Sequence, residues 1–191
     1  MARDAAATKA RILQAAVTEF AAVGLAGGRV DRIAAAAAAD KKLIYNYFTD
    51  KTTLFDAALQ HALAELVATV PIDEADLPGY AGRLFDYVIE HPHAHRLAMW
   101  RRLERPDAGP DDGRVYEQKV TAMLSGPPDR HQHPIPPVDL LVLVQAMAGA
   151  WSISPVQLLT ADGSDPAATS RLAEHRDALV TAVRRLIDPA T

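Results

Sequence analysis

The stretch from Gly24 to Phe48 constrains this chain more than any other, because it reads as two short helices joined by a tight turn. Gly24 and Gly27-Gly28 break the backbone, after which Val30, Ile33, Ala34 and Ala37 recur at helical spacing. Asp40 then stands where a further helix, reaching about Phe48, needs its N-cap. That helix carries Lys41, Lys42, Tyr45, Asn46 and Tyr47, residue types that touch DNA, while Ile44 and Phe48 point the other way to hold it in a core. A helix-turn-helix lays its second helix in the major groove and uses flanking groups for phosphates. The alanine run between the helices is a strong helix former whose small side chains allow close approach, so it is structural.

The rest of the chain also reads as helical. Ile12, Leu13, Ala16, Phe20 and Val23 mark an amphipathic helix from about Thr8 that stops at Gly24. Asp50 caps a long fourth helix from Lys51 to about Val70, with Leu54, Ala58, Ala62, Leu66 and Val70 inward, and Pro71 ends it. Further segments are expected over Leu77–Glu90, from Pro92 at a first helical position to about Arg105, and over Asp111–Leu124. The proline-rich stretch Gly126–Pro137 must be a loop. Val138–Ile153 is apolar almost all round, which predicts burial on more than one side. Pro155 kinks or ends it, and Asp165-Pro166 opens a last helix with a stripe of Leu172, Leu179, Val183 and Leu186. No strand alternation and no repeat appears. The expected fold is all-α with about nine helices, a three-helix head over residues 1–50 and a helical body over 51–191.

Ile12-Leu13-x-Ala15-Ala16-x-x-x-Phe20, Gly24, Val30-x-x-Ile33-Ala34, Tyr45-x-Tyr47-Phe48 and Lys51-x-x-Leu54 follow one another at fixed spacing. This pattern, about a quarter of the chain, resembles the TetR family of bacterial transcriptional repressors. The resemblance implies a homodimer joined through the last two long helices, a double-stranded operator read as a palindrome, and a body that encloses a small-molecule effector. On the recognition helix Lys41 and Lys42 fall at the groove-facing start, where lysine bonds guanine or phosphate. Leu43 replaces a common threonine and suits a thymine methyl, and Tyr45 and Asn46 reach bases or backbone. Tyr47 and Lys51 resemble the family's phosphate-bonding tyrosine and lysine. There are departures. Ala38 occupies the turn position where glycine is usual, at a cost of about 1 kcal/mol if left-handed. Gly28-Arg29 replaces a threonine pair, so Gly28 caps less well and Arg29 offers a charged contact to phosphate instead. Lys42 stands where glycine is common, which makes the base-reading surface bulkier.

A net charge of −4 argues at first against a DNA partner, but its distribution answers this. Residues 1–60 carry eight Lys/Arg against six acids, and the remainder twelve against eighteen. Cysteine is absent, which excludes disulfides, thiolate nucleophiles and cysteine-ligated zinc. With no signal-like start and no apolar run approaching the ~20 residues that span a bilayer, the expected place is the cytoplasm, away from membranes. Nucleophile-elbow, Walker, dinucleotide and His-Glu-x-x-His motifs are missing, so neither catalysis nor a cofactor is expected.

His91, His93, His95, His131 and His133 invite a metal reading, yet Pro92 places His91 at a helix start and no frame completes a ligand set. No metal site is expected. Tyr87, Met99, Trp100, Leu103, Met123, Met147 and Trp151 are the candidate effector lining, apolar with a few polar tips, although plain core packing accounts for such residues equally well. Arg101, Arg102 and Glu104 are read as solvating an outer helix face. With no arginine cluster on an inner face, the expected effector is neutral and hydrophobic or aromatic. Two alternatives stay open: a DNA-binding regulator without an effector, and a helical binding or metal-buffering protein with a non-functional head.

Overall fold

The computed structural model describes residues 2–106, 117, 120–121 and 135–188, and among them all regular structure is helical. The helices are α1 (Ala2–Gly27), α2 (Val30–Ala36), α3 (Lys41–Tyr47), α4 (Lys51–Thr69), α5 (Leu77–Glu90), α6 (Pro92–Glu104), α7 (Pro137–Ile153), α8 (Val156–Leu159) and α9 (Thr169–Ile187). The expected segment Asp111–Leu124 and the loop from Gly126 lie almost wholly outside the described residues. Two compact units form: Met1–Ala68 with His91–Gly109, and Thr69–Glu90 with Pro110–Thr191.

The first unit is built on α1. Its apolar spacing buries Ile12, Ala16, Val17 and Phe20 against Val30, Ile33, Ala37, Ile44 and Phe48 from α2, α3 and the turns that follow them. Leu54, Phe55, Ala58 and Leu59 of α4 complete this core, with the Phe20 and Phe55 rings edge to face at 5.2 Å. Each such large side chain contributes about 1.5–3 kcal/mol when removed from water. Helix α6 packs on α1 within this unit, burying Ala94 and Leu97. At Gly24 φ is +73°, so α1 is two helices meeting at a kink, and the expected stop falls at that residue.

In the second unit α5 lies between α7 and α9, with Tyr80, Leu84, Phe85 and Val88 buried. The Leu179 and Val183 stripe is real, but it is buried inside this unit and not left for a second chain. Helix α7 departs from expectation the other way. Leu140, Leu141, Val144, Ala148 and Trp151 are buried, whereas Val138, Val142 and Ile153 are 54%, 59% and 55% exposed. Val156 and Leu158 of α8 are likewise bare. Helix α9 begins at Thr169 and not at Asp165-Pro166, because Asp165 accepts from the Ala167 and Ala168 N–H groups and so closes a turn. Among the described residues no helix is long and apolar enough to cross a membrane.

Candidate nucleic-acid interface

Three local devices fix α3. Helix α2 ends in a Schellman arrangement: Ala39 N–H bonds Ala34 O at 3.0 Å and Ala38 N–H bonds Ala35 O at 3.2 Å. This needs a left-handed residue, and Ala38 supplies it at φ +47° as expected, bearing strain that a glycine would not. Arg11 Nε donates to Ala37 O at 3.4 Å and so ties α1 to the same turn. Asp40 then caps α3, its Oδ1 accepting from Lys42 N–H at 2.7 Å.

The helix so placed buries Ile44 and Phe48 and turns Lys41, Lys42, Tyr45 and Asn46 outward, with Leu43 and Tyr47 half-buried. Lys42 Nζ has no partner among the described residues. Lys41 is held differently, 2.7 Å from Asp31 Oδ1, and this carboxylate raises its pKa. Tyr47 OH donates to Ala5 O at 3.3 Å, which docks the first turns of α1 beside α3. Lys9 lies over the Phe48 ring, 5.6 Å from its centroid. Arg29 is itself the N-cap of α2, with no side-chain cap; its exposed guanidinium is free of that duty, and its N–H donates to Glu19.

Lys51 Nζ bonds Ala26 O and Gly28 O, each at 3.2 Å. It closes the orphan carbonyls at the end of α1, a structural role that its position in the sequence did not reveal. Asp50 caps α4 through Thr53 N–H at 2.7 Å, and that bond holds its carboxyl below the usual range.

The effector candidates divide between the units. Trp100 belongs to the first: its indole N–H donates to Ala21 O at 3.2 Å, beside Arg96 Nε on the same oxygen at 3.0 Å. Met99 and Leu103 are exposed on α6. Glu104 does not solvate an outer face; its carboxylate accepts from Leu25 N–H at 2.6 Å and from Ala26 N–H at 3.3 Å, capping the segment after the Gly24 kink. Arg105 pairs with Asp56 of α4.

Tyr87, Met147 and Trp151 belong to the second unit, Tyr87 and Trp151 being buried and Met147 half-buried. Met123 lies outside the described residues. The Trp151 and His175 rings meet at 4.4 Å, tilted by 42°, His175 meets Phe85 at 5.3 Å, and the Arg171 guanidinium lies 4.8 Å from the Trp151 ring centroid. Burial, and then the Arg171 charge, push the His175 pKa down. His175 Nε2 is buried without a hydrogen-bond partner, while the buried Arg171 Nε faces Asp162 Oδ2 in an ion pair at 3.7 Å. Arg176 pairs with Asp86 of α5 at 2.8 Å. Arginines 171 and 176 are thus each paired with a carboxylate, Asp162 and Asp86, and flank His175 at i, i+4 and i, i+1 spacing on the last helix.

His95 Nε2 is also buried without a partner, and burial lowers its pKa. Histidines 131 and 133 lie outside the described residues, and among the described ones no three potential ligands cluster.

Comparison with known proteins agrees with this geometry. Residues 12–58 match the model of bacterial regulatory proteins of the tetR family, and residues 76–185 match a tetracyclin repressor-like C-terminal domain. The HTH-type transcriptional repressor SCO4008 of Streptomyces coelicolor is 41% identical, with 98% of both chains aligned. The repressor NicS of Pseudomonas putida is 36% identical over 48% of this chain and 46% of its own. Among solved structures, the transcriptional regulator SCO4942 of Streptomyces coelicolor superposes with TM-score 0.78 at 35% identity, covering 95% of this chain and 98% of its own.

Proposed function

Since this chain belongs to the TetR family of bacterial regulators and is a helix-turn-helix transcriptional repressor, we propose that it works as a homodimer that reads a palindromic operator and is released by a small molecule. The family is one of regulators and not of enzymes. We assign the DNA-reading part to residues 1–50 and assembly and effector binding to 51–191, in the cytoplasm.

The observation that carries the DNA half is the outward face of α3, where Lys42, Tyr45 and Asn46 stand exposed on a helix whose opposite face is locked into the core. Lys42 and Leu43 read bases; Arg29, Tyr47 and Lys51 lie at the helix flanks, where phosphates pass. Lys51 reaches phosphate by sharing its ammonium with the α1 carbonyls.

Assembly rests on the bare apolar strip of Val138, Val142 and Ile153 on α7, continued by Val156 and Leu158 on α8. Leu179 and Val183 are committed within their own chain, so α9 contributes its remaining face to a four-helix bundle. Val142→Asp should give a folded monomer in sedimentation, and a dimer that survives this change would refute that interface.

For the effector, Tyr87, Met147 and Trp151 offer aromatic and apolar contact, with His175 Nε2 a buried polar atom beside Trp151. The ligand this reading favours is neutral and hydrophobic or aromatic. It would shift the dimer off DNA only by its difference in affinity between the two states. Titration of operator complexes with aromatic ligands, read by Trp151 emission in a Trp100→Phe background, tests this half; no quenching that tracks operator release would exclude it.

A further inference from the structure

The reading face of α3 carries one contact that neither capping nor core packing requires. The other acids around the helix-turn-helix are engaged by backbone, Asp40 by Lys42 N–H, Asp50 by Thr53 N–H and Glu19 by the Arg29 backbone N–H, Glu19 also lying 3.8 Å from Arg32. Asp31, in the first turn of α2, instead reaches across to Lys41, the first residue of α3, with Oδ1 2.7 Å from Nζ. Both side chains face solvent, 76% exposed for Asp31 and 49% for Lys41. Two adjacent lysines therefore differ in kind. Lys42 presents a whole positive charge, whereas the charge of Lys41 is cancelled on the spot.

Sequence-independent DNA affinity comes from cations that neutralise phosphates and release counterions, about 0.9 units of salt slope for each. A phosphate approaching Lys41 must displace a carboxylate of the same charge. The exchange is isoelectric, and it leaves Asp31 bare beside the DNA backbone, so Lys41 gains little by it. An exposed pair of this sort is weak in itself. Its consequence for DNA lies in which charges remain available.

We propose that Asp31 is an affinity-setting residue that silences Lys41 toward phosphate, lowering the sequence-independent part of DNA binding and leaving the exposed start of α3 to Lys42. The proposal rests on the reading of α3 as the DNA-contacting helix, and it deepens that reading by removing one of its lysines from the phosphate contacts.

The test is a charge cycle on the full-length protein. Wild type, Asp31→Asn, Lys41→Gln and the double variant are titrated onto a fluorescent random-sequence duplex by anisotropy, over about 50 to about 200 mM NaCl. Asp31→Asn should bind several-fold more tightly at the low-salt end, with a slope steeper by about 0.9 for each head engaged. Lys41→Gln alone should leave the slope near that of wild type, and in the Asp31→Asn background it should return the slope to that value. Asp31→Ser, run alongside with thermal melts, separates the charge effect from any loss of helix stability, and both neutral replacements should behave alike. An unchanged slope in Asp31→Asn, or an equal loss from Lys41→Gln in both backgrounds, would overturn the proposal while leaving the DNA reading intact. A wild-type protein without salt-dependent affinity for any duplex would overturn both.

Discussion

The two compact units close their polar groups in different ways. In the first, long side chains reach back to main-chain groups far away in sequence: Lys51 to Ala26 and Gly28, Arg96 and Trp100 to Ala21, Glu104 to Leu25 and Ala26, Arg11 to Ala37. The turn before α3 is tied to α1 by Arg11, and Asp40 caps α3 itself. In the second unit side chains meet side chains, with Trp151 and Phe85 tilted against His175, Arg176 paired to Asp86 and Arg171 to Asp162. A buried imidazole nitrogen without a hydrogen-bond partner occurs in each unit, His95 Nε2 in the first and His175 Nε2 in the second, and the second also bears an apolar strip on its surface. The long-range ties from side chain to main chain named here belong to the first unit, and the bare apolar strip to the second.

The largest test of this contrast uses two glycines that share a left-handed backbone. At Gly24, φ +73°, an added Cβ would stand 2.7 Å from Glu104 Oε1 and 2.8 Å from Trp100 Cε3. At Gly163 of the second unit, φ +80°, nothing lies within 4 Å. Gly24→Ala should therefore cost about 3–4 kcal/mol, strain plus overpacking, against about 1 kcal/mol for Gly163→Ala, by denaturant unfolding. Equal costs would mean that α6 does not clamp the end of α1.

Next come two apolar positions of the second unit. Leu179→Ala removes a buried side chain and should cost about 2–5 kcal/mol. Val142→Ala, 59% exposed, should leave monomer stability within about 0.5 kcal/mol and weaken self-association instead, measured by sedimentation against concentration.

Lys51→Ala is smaller and acts twice. It should lower stability by about 1 kcal/mol, because two carbonyls lose their donor, and reduce the salt slope on DNA by about 0.9. A slope unchanged in a folded variant would leave Lys51 with its structural role alone. Ala38→Gly should be the mildest, stabilising by up to about 1 kcal/mol as left-handed strain is relieved.

Acid acts on both units, through His95 in the first and His175 in the second, each with its pKa lowered by burial. The His175 pKa is lowered in the folded state, so the unfolded chain, with the ordinary histidine value of about 6.5, binds more protons at mildly acidic pH. Stability is thus undiminished above about pH 6.5 and falls as pH drops below it. His175→Phe should flatten part of that fall, whereas a pH profile identical to wild type would remove His175 as its source.

The elements that could be read from sequence are those whose cause is local. Leu77–Glu90 has its periodicity, Pro92 its fixed φ, Asp40 and Asp50 their caps, and Ala38 its place in a turn that demands a left-handed residue. What escaped is long-range. The bond from Glu104 to Leu25 spans 79 positions, and nothing in the periodicity of either helix announces it. A stripe such as Leu179 and Val183 announces that a partner exists without saying which, and here the partner is α5 of the same chain. Which α3 side chains face outward was legible residue by residue, but not that Asp31 would pair with Lys41.

The central claim is that α3, held twice in a two-fold dimer, reads DNA. Its most direct test is to let the purified protein select duplexes from a random pool and to sequence what it retains. The account predicts an inverted repeat whose half-sites lie about 34–36 Å apart, or a multiple of that spacing. Enrichment of a single asymmetric site, or of no sequence at all, would contradict it.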